Sequence, residues 1–184
     1  LHYDSGTPAS ISSNTFTGCN NAIYLDGATN FTLSAPGSGG PNENVFGTGI
    51  TGYQIYLAQC NNTNVSGFNF SSHAATPLNS RSPFLIYACS NGTFTNNIAI
   101  GMNFAMRLQE TNTTHTITSN NFSGSVYGIY MNGASNNGHI VNNNNLSNCT
   151  NTSLTYSVGT PASISSNTFT GCNNAIYLKG APNF

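Results

Sequence analysis

This sequence of 184 residues has very few charged side chains: three Lys or Arg, four Asp or Glu, and a formal net charge of −1. Charged residues make up 4% of the chain, against roughly 25% in ordinary globular proteins. A nucleic-acid-binding protein needs Lys and Arg to neutralise phosphates. A protein held at an anionic membrane surface needs a basic patch. The composition argues against both classes of partner.

Tryptophan is absent, and no apolar run approaches the ~20 residues of a membrane-spanning helix. Polarity comes from uncharged residues, above all from 31 Asn. The apolar residues are mainly Val, Ile, Phe and Tyr, which favour strands, and they recur at regular intervals. We therefore expect an ordered all-β protein without membrane insertion.

The segment at the start of the chain returns almost unchanged at its end. Residues 1–31 and 154–184 differ at five positions: His2/Thr155, Asp4/Ser157, Ser5/Val158, Asp26/Lys179 and Thr29/Pro182. A tandem array repeats in this way because each unit buries its open face against the next. We predict one complete repeat unit, residues 1–153, and the start of a second, residues 154–184, in one solenoid without a linker. The chain is expected to be a window on a longer array.

A shorter repeat divides this unit. The apolar residue of an Asn-x-Phe motif recurs at similar intervals, at Phe16, Phe46, Phe70, Ile98, Phe122, Leu146 and Phe169. Six of the seven follow an Asn by two positions: Asn14, Asn44, Asn96, Asn120, Asn144 and Asn167. No segment shows a convincing helical period. The spacing predicts a solenoid of about seven coils, each made of short strands and Asn-, Gly- or Ser-rich turns.

Two segments carry a resemblance to a known family. Ile11-Ser-Ser-Asn14-Thr-Phe16-Thr-Gly18 and Ile117-Thr-Ser-Asn120-Asn-Phe122-Ser-Gly124 are each followed by an Ile-Tyr-Leu or Ile-Tyr-Met segment. They resemble the coil repeat of right-handed parallel β-helix proteins of the pectate-lyase-like and NosD-like class. The resemblance covers nearly the whole chain and implies an all-β, right-handed parallel β-helix. It implies no single function, because this fold carries enzymes, spikes, adhesins and inert fibres.

The repeated positions have structural roles in such a solenoid. Asn tolerates left-handed turn geometry, and stacked amides can hydrogen-bond along the axis, so the six Asn above are predicted to form an Asn ladder. The seven apolar residues above are predicted to form a core ladder. The middle residues of the Ile-Tyr segments are predicted to form an outward stripe that shields the sheet: Tyr24, Tyr56, Tyr87, Tyr130 and Tyr177.

The five cysteines fit the long repeat, because Cys172 is the copy of Cys19. Neighbouring strands lie ~4.8 Å apart, which is within the Cα separation of a disulfide. We predict the pairs Cys60–Cys89 and Cys149–Cys172, with Cys19 paired to a preceding unit. The alternative is stacked free thiols in the core. No CxxC motif or neighbouring His pair indicates a metal site.

The acidic residues do not form a catalytic set. Glycoside hydrolysis needs two carboxylates that flank the bond. Asp4 and Asp26 become Ser157 and Lys179 in the second copy. Glu43 and Glu110 lie about three coils apart, roughly 14 Å along the axis. We predict no catalytic residue, no cofactor and no enzymatic activity.

Ten Asn-x-Ser/Thr sequons favour a secreted, glycosylated protein. Glycans would keep charge-poor fibres from bundling. The strongest candidates lie in turn-like surroundings: Asn61, Asn64, Asn91 and Asn148. Further candidates are Asn30, Asn69, Asn112, Asn145 and Asn151, whereas Asn121 lies in a ladder strand.

These features predict a structural subunit of an extracellular, glycosylated filament or surface fibre, built by stacking 153-residue β-helix repeats. Its partners would be copies of itself and covalent N-linked glycans. The alternative is a carbohydrate-binding adhesin or spike. We rank two further functions lower: a polysaccharide lyase or hydrolase, which lacks the acids, and an ice-binding protein. Thr alternates within residues 111–118, but the unequal intervals between the core-ladder residues indicate coils of irregular length.

Overall fold

The computed structural model describes residues 1–6, 11–35, 44–70 and 82–180. These residues contain strands and turns and no helix. The strands are β1 (His2–Gly6), β2 (Thr15–Phe16), β3 (Ile23–Ala28), β4 (Thr32–Ser34), β5 (Val45–Phe46), β6 (Ile55–Ala58), β7 (Asn64–Ser66), β8 (Phe84–Tyr87), β9 (Thr93–Thr95), β10 (Phe104–Gln109), β11 (Thr111–Thr113), β12 (Thr116–Thr118), β13 (Tyr127–Met131), β14 (Ser135–Asn137), β15 (Ile140–Asn142), β16 (Thr152–Tyr156), β17 (Ser163–Ser165) and β18 (Asn174–Leu178).

Every strand pairs in parallel with its counterpart on a neighbouring coil. A long sheet of eight strands has the order β1-β3-β6-β8-β10-β13-β16-β18, and a second sheet of six has the order β4-β7-β9-β12-β15-β17. Two small sheets pair β2 with β5 and β11 with β14. A chain in which each coil adds one strand to each of several parallel sheets is a parallel β-helix. The predicted all-β fold class is confirmed.

Stacked turns with positive φ end the strands at the same place in successive coils. After the second sheet, Asn96, Ser119, Asn143 and Ser166 have φ values of 57°, 58°, 55° and 56°. Asn is among the few non-glycine residues that enter this left-handed region readily. The Asn- and Ser-rich composition therefore has a local cause: it lets the backbone turn sharply between sheets.

The interior is filled by apolar residues stacked from coil to coil. In the long sheet one such row is Leu25, Leu57, Ile86, Leu108 and Met131, all fully buried. In the second sheet Leu33, Val65, Phe94, Ile117 and Val141 form an equivalent row, also fully buried. Burying one such side chain contributes about 1.5–3 kcal/mol relative to leaving it exposed. The core therefore runs the length of the solenoid and belongs to no single coil.

Candidate functional site

The repeated end segment takes the same register in both of its copies. In the first copy His2 pairs with Tyr24 and Tyr3 with Leu25. In the second copy Thr155 pairs with Tyr177 and Tyr156 with Leu178, which are the same positions one repeat later. β1 and β3 of the first copy therefore pair in the same register as β16 and β18 of the second.

The two copies differ in what covers them. In the first copy, the side that faces coil 44–58 is covered, since β2 pairs with β5 and β3 with β6. In the second copy β18 is the last strand of the long sheet and β17 the last of the second sheet. Ile23 is accordingly 0% exposed, whereas its copy Ile176 is 39% exposed. The open side of the second copy is the side that coil 44–58 covers in the first.

An Asn ladder runs along one turn of the solenoid. Asn97, Asn120 and Asn144 are buried. Each donates hydrogen bonds from its backbone N–H and its Nδ2 to Oδ1 of the next Asn. The last acceptor of the series is Asn167. Asn14 donates in the same way to Asn44, and Phe68 fills the place between Asn44 and Asn97. Each amide thus satisfies backbone groups that the turn leaves unpaired.

The prediction was wrong by one residue in a single coil. Asn97, and not Asn96, stands in the ladder, and Ala99, and not Ile98, points into the core. Asn96 is exposed with positive φ, and Ile98 bridges Asn121 outside the core row. The chain reads Asn-Asn-Ile-Ala here, so both registers offer an Asn and an apolar residue. A slip of one residue exchanges the two faces of a strand, and the neighbouring coils select the second register.

The other predicted core residues lie inside the solenoid. Phe46, Phe70, Phe122 and Leu146 are buried. Phe16 and Phe169, in the two copies of the end segment, are partly buried against the same core. Phe16 stacks on Phe46 with ring centroids 5.7 Å apart, and Phe46 stacks on Phe70 at 5.8 Å.

The cysteines stack but form no disulfide, so the predicted bonds Cys60–Cys89 and Cys149–Cys172 are wrong. All five are free thiols, including Cys19. Cys60 and Cys89 occupy equivalent positions, and the Cys60 backbone N–H donates to Cys89 Sγ at 3.2 Å. Their thiols donate instead to the carbonyls of Leu25 and Leu57. The arrangement matches the alternative prediction, stacked free thiols in the core.

Two histidines that the sequence reasoning did not single out stack inside the solenoid. His115 and His139 are fully buried. His115 Nδ1 accepts from the backbone N–H of Gly92 at 2.8 Å, and His139 Nδ1 accepts from that of His115 at 3.0 Å. Burial lowers the pKa of His115 to about 3, with help from His139, and lowers the pKa of His139 to about 4. The sequence interval between them equals the one between Asn120 and Asn144. That equality could have predicted that the two histidines stack on neighbouring coils.

The tyrosines of the long sheet form a broken row. Tyr24 pairs with Tyr56, and their ring centroids lie 4.7 Å apart. Tyr56 then pairs with Leu85, so Tyr87 lies two residues further along the strand, in register with Ala58. The same row continues at the other end of the sheet through Arg107, Tyr130, Thr155 and Tyr177. The continuous stripe predicted through Tyr87 is wrong, because Ile86 aligns with Leu57 and not with Ile55.

A groove of about 370 Å³ opens where this row passes the second copy. Tyr127, Tyr130 and Tyr177 supply its aromatic lining, and Asn151 and Lys179 are among its polar residues. Asn151 Nδ2 donates to the Tyr127 hydroxyl at 2.8 Å, which fixes one wall. Aromatic faces beside amide and hydroxyl groups are suited to an uncharged polar ligand.

The sequons differ in accessibility. The exposed ones are Asn30, Asn69, Asn91 and Asn148, and the half-buried ones are Asn61, Asn64, Asn121, Asn145 and Asn151. Asn112 is fully buried, and its amide accepts from Cys89 N and donates to the Gln109 carbonyl. Asn112 therefore cannot carry a glycan in the folded chain, which corrects that prediction. Glu43 lies outside the described residues.

Residues 52–183 match the family model described as "Periplasmic copper-binding protein (NosD)". No curated protein and no solved structure matches the chain. In the part of the chain that the structure describes, no helix is long and apolar enough to cross a membrane.

The His, Cys, Asp and Glu side chains that the structure describes do not assemble a copper site. Copper sites in proteins use thiolate, thioether and imidazole ligands. Within residues 1–6, 11–35, 44–70 and 82–180, no three His, Cys, Asp or Glu side chains come together as a metal site would require. His115 and His139 each use Nδ1 to accept a backbone N–H, so the neutral rings carry their protons on Nε2. That nitrogen is then a donor and not a ligand.

Proposed function

Because this chain belongs to the NosD family, described as periplasmic, we propose that it works outside the cytoplasm as a structural segment of a filament of stacked 153-residue β-helix repeats. Copies of itself would be its partners, joined end to end along the solenoid axis. N-linked glycans would cover the outer turns.

The observation that carries this proposal is the shared register of the two end segments. The first copy displays the contacts made on one side, with coil 44–58, and the second copy displays those made on the other, with strands β13 and β15. The two sets of contacts use different sides of the same residues, so one segment can make both at once. A segment that fits between two neighbours is an internal part of a continuous solenoid.

The open side of the second copy favours such a neighbour. Ile176 is 39% exposed, although its copy Ile23 is fully buried, and the adjacent Tyr177 is 48% exposed. Strands β17 and β18 also end their sheets, and an end strand presents unpaired N–H and C=O groups to any strand that can pair with them. A further coil with the sequence of residues 44–58 would cover both the apolar side chains and the backbone.

Glycosylation is the second part of the proposal, and the exposed sequons support it. Asn30, Asn91 and Asn148 lie in turns with positive φ, away from the buried rows. A glycan at such a turn points out from the solenoid and leaves the stacking ends free. With so few charged residues in the chain, glycans would supply the hydration that keeps fibres apart.

Self-association of the chain tests the stacking. We expect sedimentation velocity to show end-to-end oligomers that grow with concentration, and Ile176→Lys to abolish them by placing a charge on the open side. Ile100→Lys is the matched control, because Ile100 is 41% exposed but lies in a turn between covered coils. A chain that stays monomeric at all concentrations, or oligomers that Ile176→Lys leaves intact, would contradict the proposal.

A second candidate function is carbohydrate binding, and only the groove at Tyr127, Tyr130 and Tyr177 favours it. Titration calorimetry with neutral oligosaccharides would show binding that Tyr130→Ala removes and Tyr24→Ala, at the other end of the long sheet, retains. If both variants bound the oligosaccharides with the same heat as the wild-type chain, the groove would be excluded as the binding site.

A further inference from the structure

The outer face of the second sheet is a regular array of small uncharged polar side chains. In each of its six strands the middle residue points inward, and the two flanking residues point outward: five middle residues are fully buried, and Ile164 of the end strand is half-buried. One outward row is Thr32, Asn64, Thr93, Thr116, Ile140 and Ser163, and the other is Ser34, Ser66, Thr95, Thr118, Asn142 and Ser165. All of these residues except Ile140 carry a hydroxyl or an amide, and none is charged or aromatic.

The array is regular in two directions although the coils differ in length. The pairing continues from β4 to β17 without a shift of register. Successive strands of this sheet begin 23 to 32 residues apart in sequence, and they still pair in register. Irregular coil length, which argued against ice binding at the level of sequence, therefore does not disturb the face.

The spacing of the array follows from sheet geometry. Neighbours within a row lie ~4.8 Å apart, and the two rows lie roughly 6.6 Å apart, twice the rise per residue. In a tetrahedral water network with hydrogen bonds of ~2.8 Å, next-nearest oxygens lie about 4.5 Å apart. The spacing between hydroxyls on successive strands is thus close to the spacing between next-nearest oxygens in crystalline water. Thr adds a methyl group beside each hydroxyl, and that methyl group displaces disordered water.

We propose that this face, centred on Thr93, Thr95, Thr116 and Thr118, binds ice. The complete lack of charge supports an uncharged lattice as the ligand, because a charged side chain would hold its own hydration shell and break the plane. The lack of aromatic residues separates ice from crystalline polysaccharides, which bind through stacking on aromatic faces. The outward aromatic pairs Tyr24–Tyr56 and Phe104–Tyr130 lie on the long sheet. The inference is independent of the stacking proposed above.

Thermal hysteresis and ice-crystal shape, measured on the full chain, test this inference. We expect a freezing point held below the melting point, together with faceted crystals. Thr95→Lys and Thr118→Lys should each abolish both effects, and two positions are used so that one variant that fails to fold leaves the other. Folding is checked by a cooperative melt. Tyr24→Lys is the matched control, because it places the same charge on the outer face of the long sheet and should leave both effects unchanged.

Three results would overturn the inference. The first is no hysteresis in the folded wild-type chain. The second is hysteresis that survives both Thr→Lys changes or that disappears equally in Tyr24→Lys. The third is binding to crystalline chitin or cellulose that depends on Thr95 and Thr118 in place of binding to ice.

Discussion

His115 and His139 stack as parallel rings inside the solenoid, with centroids 5.0 Å apart and an interplanar angle of 6°. The backbone N–H of His115 donates to Nδ1 of His139. Both rings must stay neutral in the folded chain, since a protonated Nδ1 could not accept that hydrogen bond. The pair therefore links the stability of the solenoid to pH.

The first prediction is that the chain loses stability as the pH falls below about 6.5. In the unfolded chain both histidines bind protons below their ordinary pKa of 6.5. In the folded chain burial lowers the pKa of His139 to about 4 and that of His115 to about 3, so both stay neutral down to those pH values. Within that window each histidine should lower the unfolding free energy by roughly 1.4 kcal/mol per pH unit. Denaturant unfolding at several pH values measures the slope.

Two variants calibrate this slope. His139→Gln keeps a side-chain acceptor and should remove about half of it. His115→Gln should remove a similar share, because burial also lowers the pKa of His115. Equal stability at pH 7 and pH 4.5 would contradict the assignment of both rings as buried and neutral.

The second prediction concerns the register of the Asn ladder. Asn120→Ala removes the acceptor for Asn97 and the donor to the Phe94 carbonyl, so we expect a loss on the order of 3 kcal/mol. Asn97→Ala should cost a similar amount. Asn96→Gly is the control and should be nearly neutral, because Asn96 is exposed with a φ of 57°. If Asn96→Gly destabilised the chain as much as Asn97→Ala, the register would be wrong.

The third prediction separates the cysteines by reactivity. Burial raises the pKa of Cys149, and hydrogen bonding to Cys60 together with burial raises that of Cys89. Since the thiolate is the reactive form, both should resist alkylation in the folded chain, whereas half-buried Cys19 and Cys172 should react first. Pulsed alkylation with mass spectrometry gives the order. A Cys60–Cys89 disulfide in unreduced material would refute the free-thiol arrangement.

The fourth prediction concerns the sequons. Expressed in a glycosylating host, the chain should be modified at exposed sites such as Asn91 and Asn148 and never at Asn112. Thr150→Ala removes the Asn148 sequon at an exposed residue and should leave the melting temperature of the unmodified chain unchanged. Asn112→Gln should lower it, because Asn112 accepts from Cys89 N. A glycopeptide that contains modified Asn112 would show that the coil around it is open.

Much of the fold could be predicted from the sequence because a solenoid repeats its pattern along the chain. The motif around Asn120 and Phe122 indicated the coil, and Ile-Tyr-Leu indicated the strand of the long sheet. The register within one coil was harder to predict. Asn96 and Asn97 are both plausible ladder residues, and only contacts with the coils on either side distinguish them. Likewise, Phe-Leu-Ile-Tyr in β8 fits the long sheet in two registers, which is why Tyr87 was misplaced.

The interior polar residues were missed for a different reason. His115 and His139 match no motif in the sequence, and their role depends on the interval between them, which is one coil and therefore stacks the two rings. The outer face of the second sheet was underestimated in the same way. The number of residues between successive strands varies, but the regularity of the face depends only on the register in which the strands pair.

The most direct test of the stacked-repeat account is the shape of a longer chain, made by adding a second copy of residues 1–153 ahead of the present sequence. Small-angle X-ray scattering should show one rod with an unchanged cross-section that is longer by about 29 Å, six coils at ~4.8 Å each. Two separate bodies joined by a hinge, or a particle that grows in width and not in length, would contradict the account.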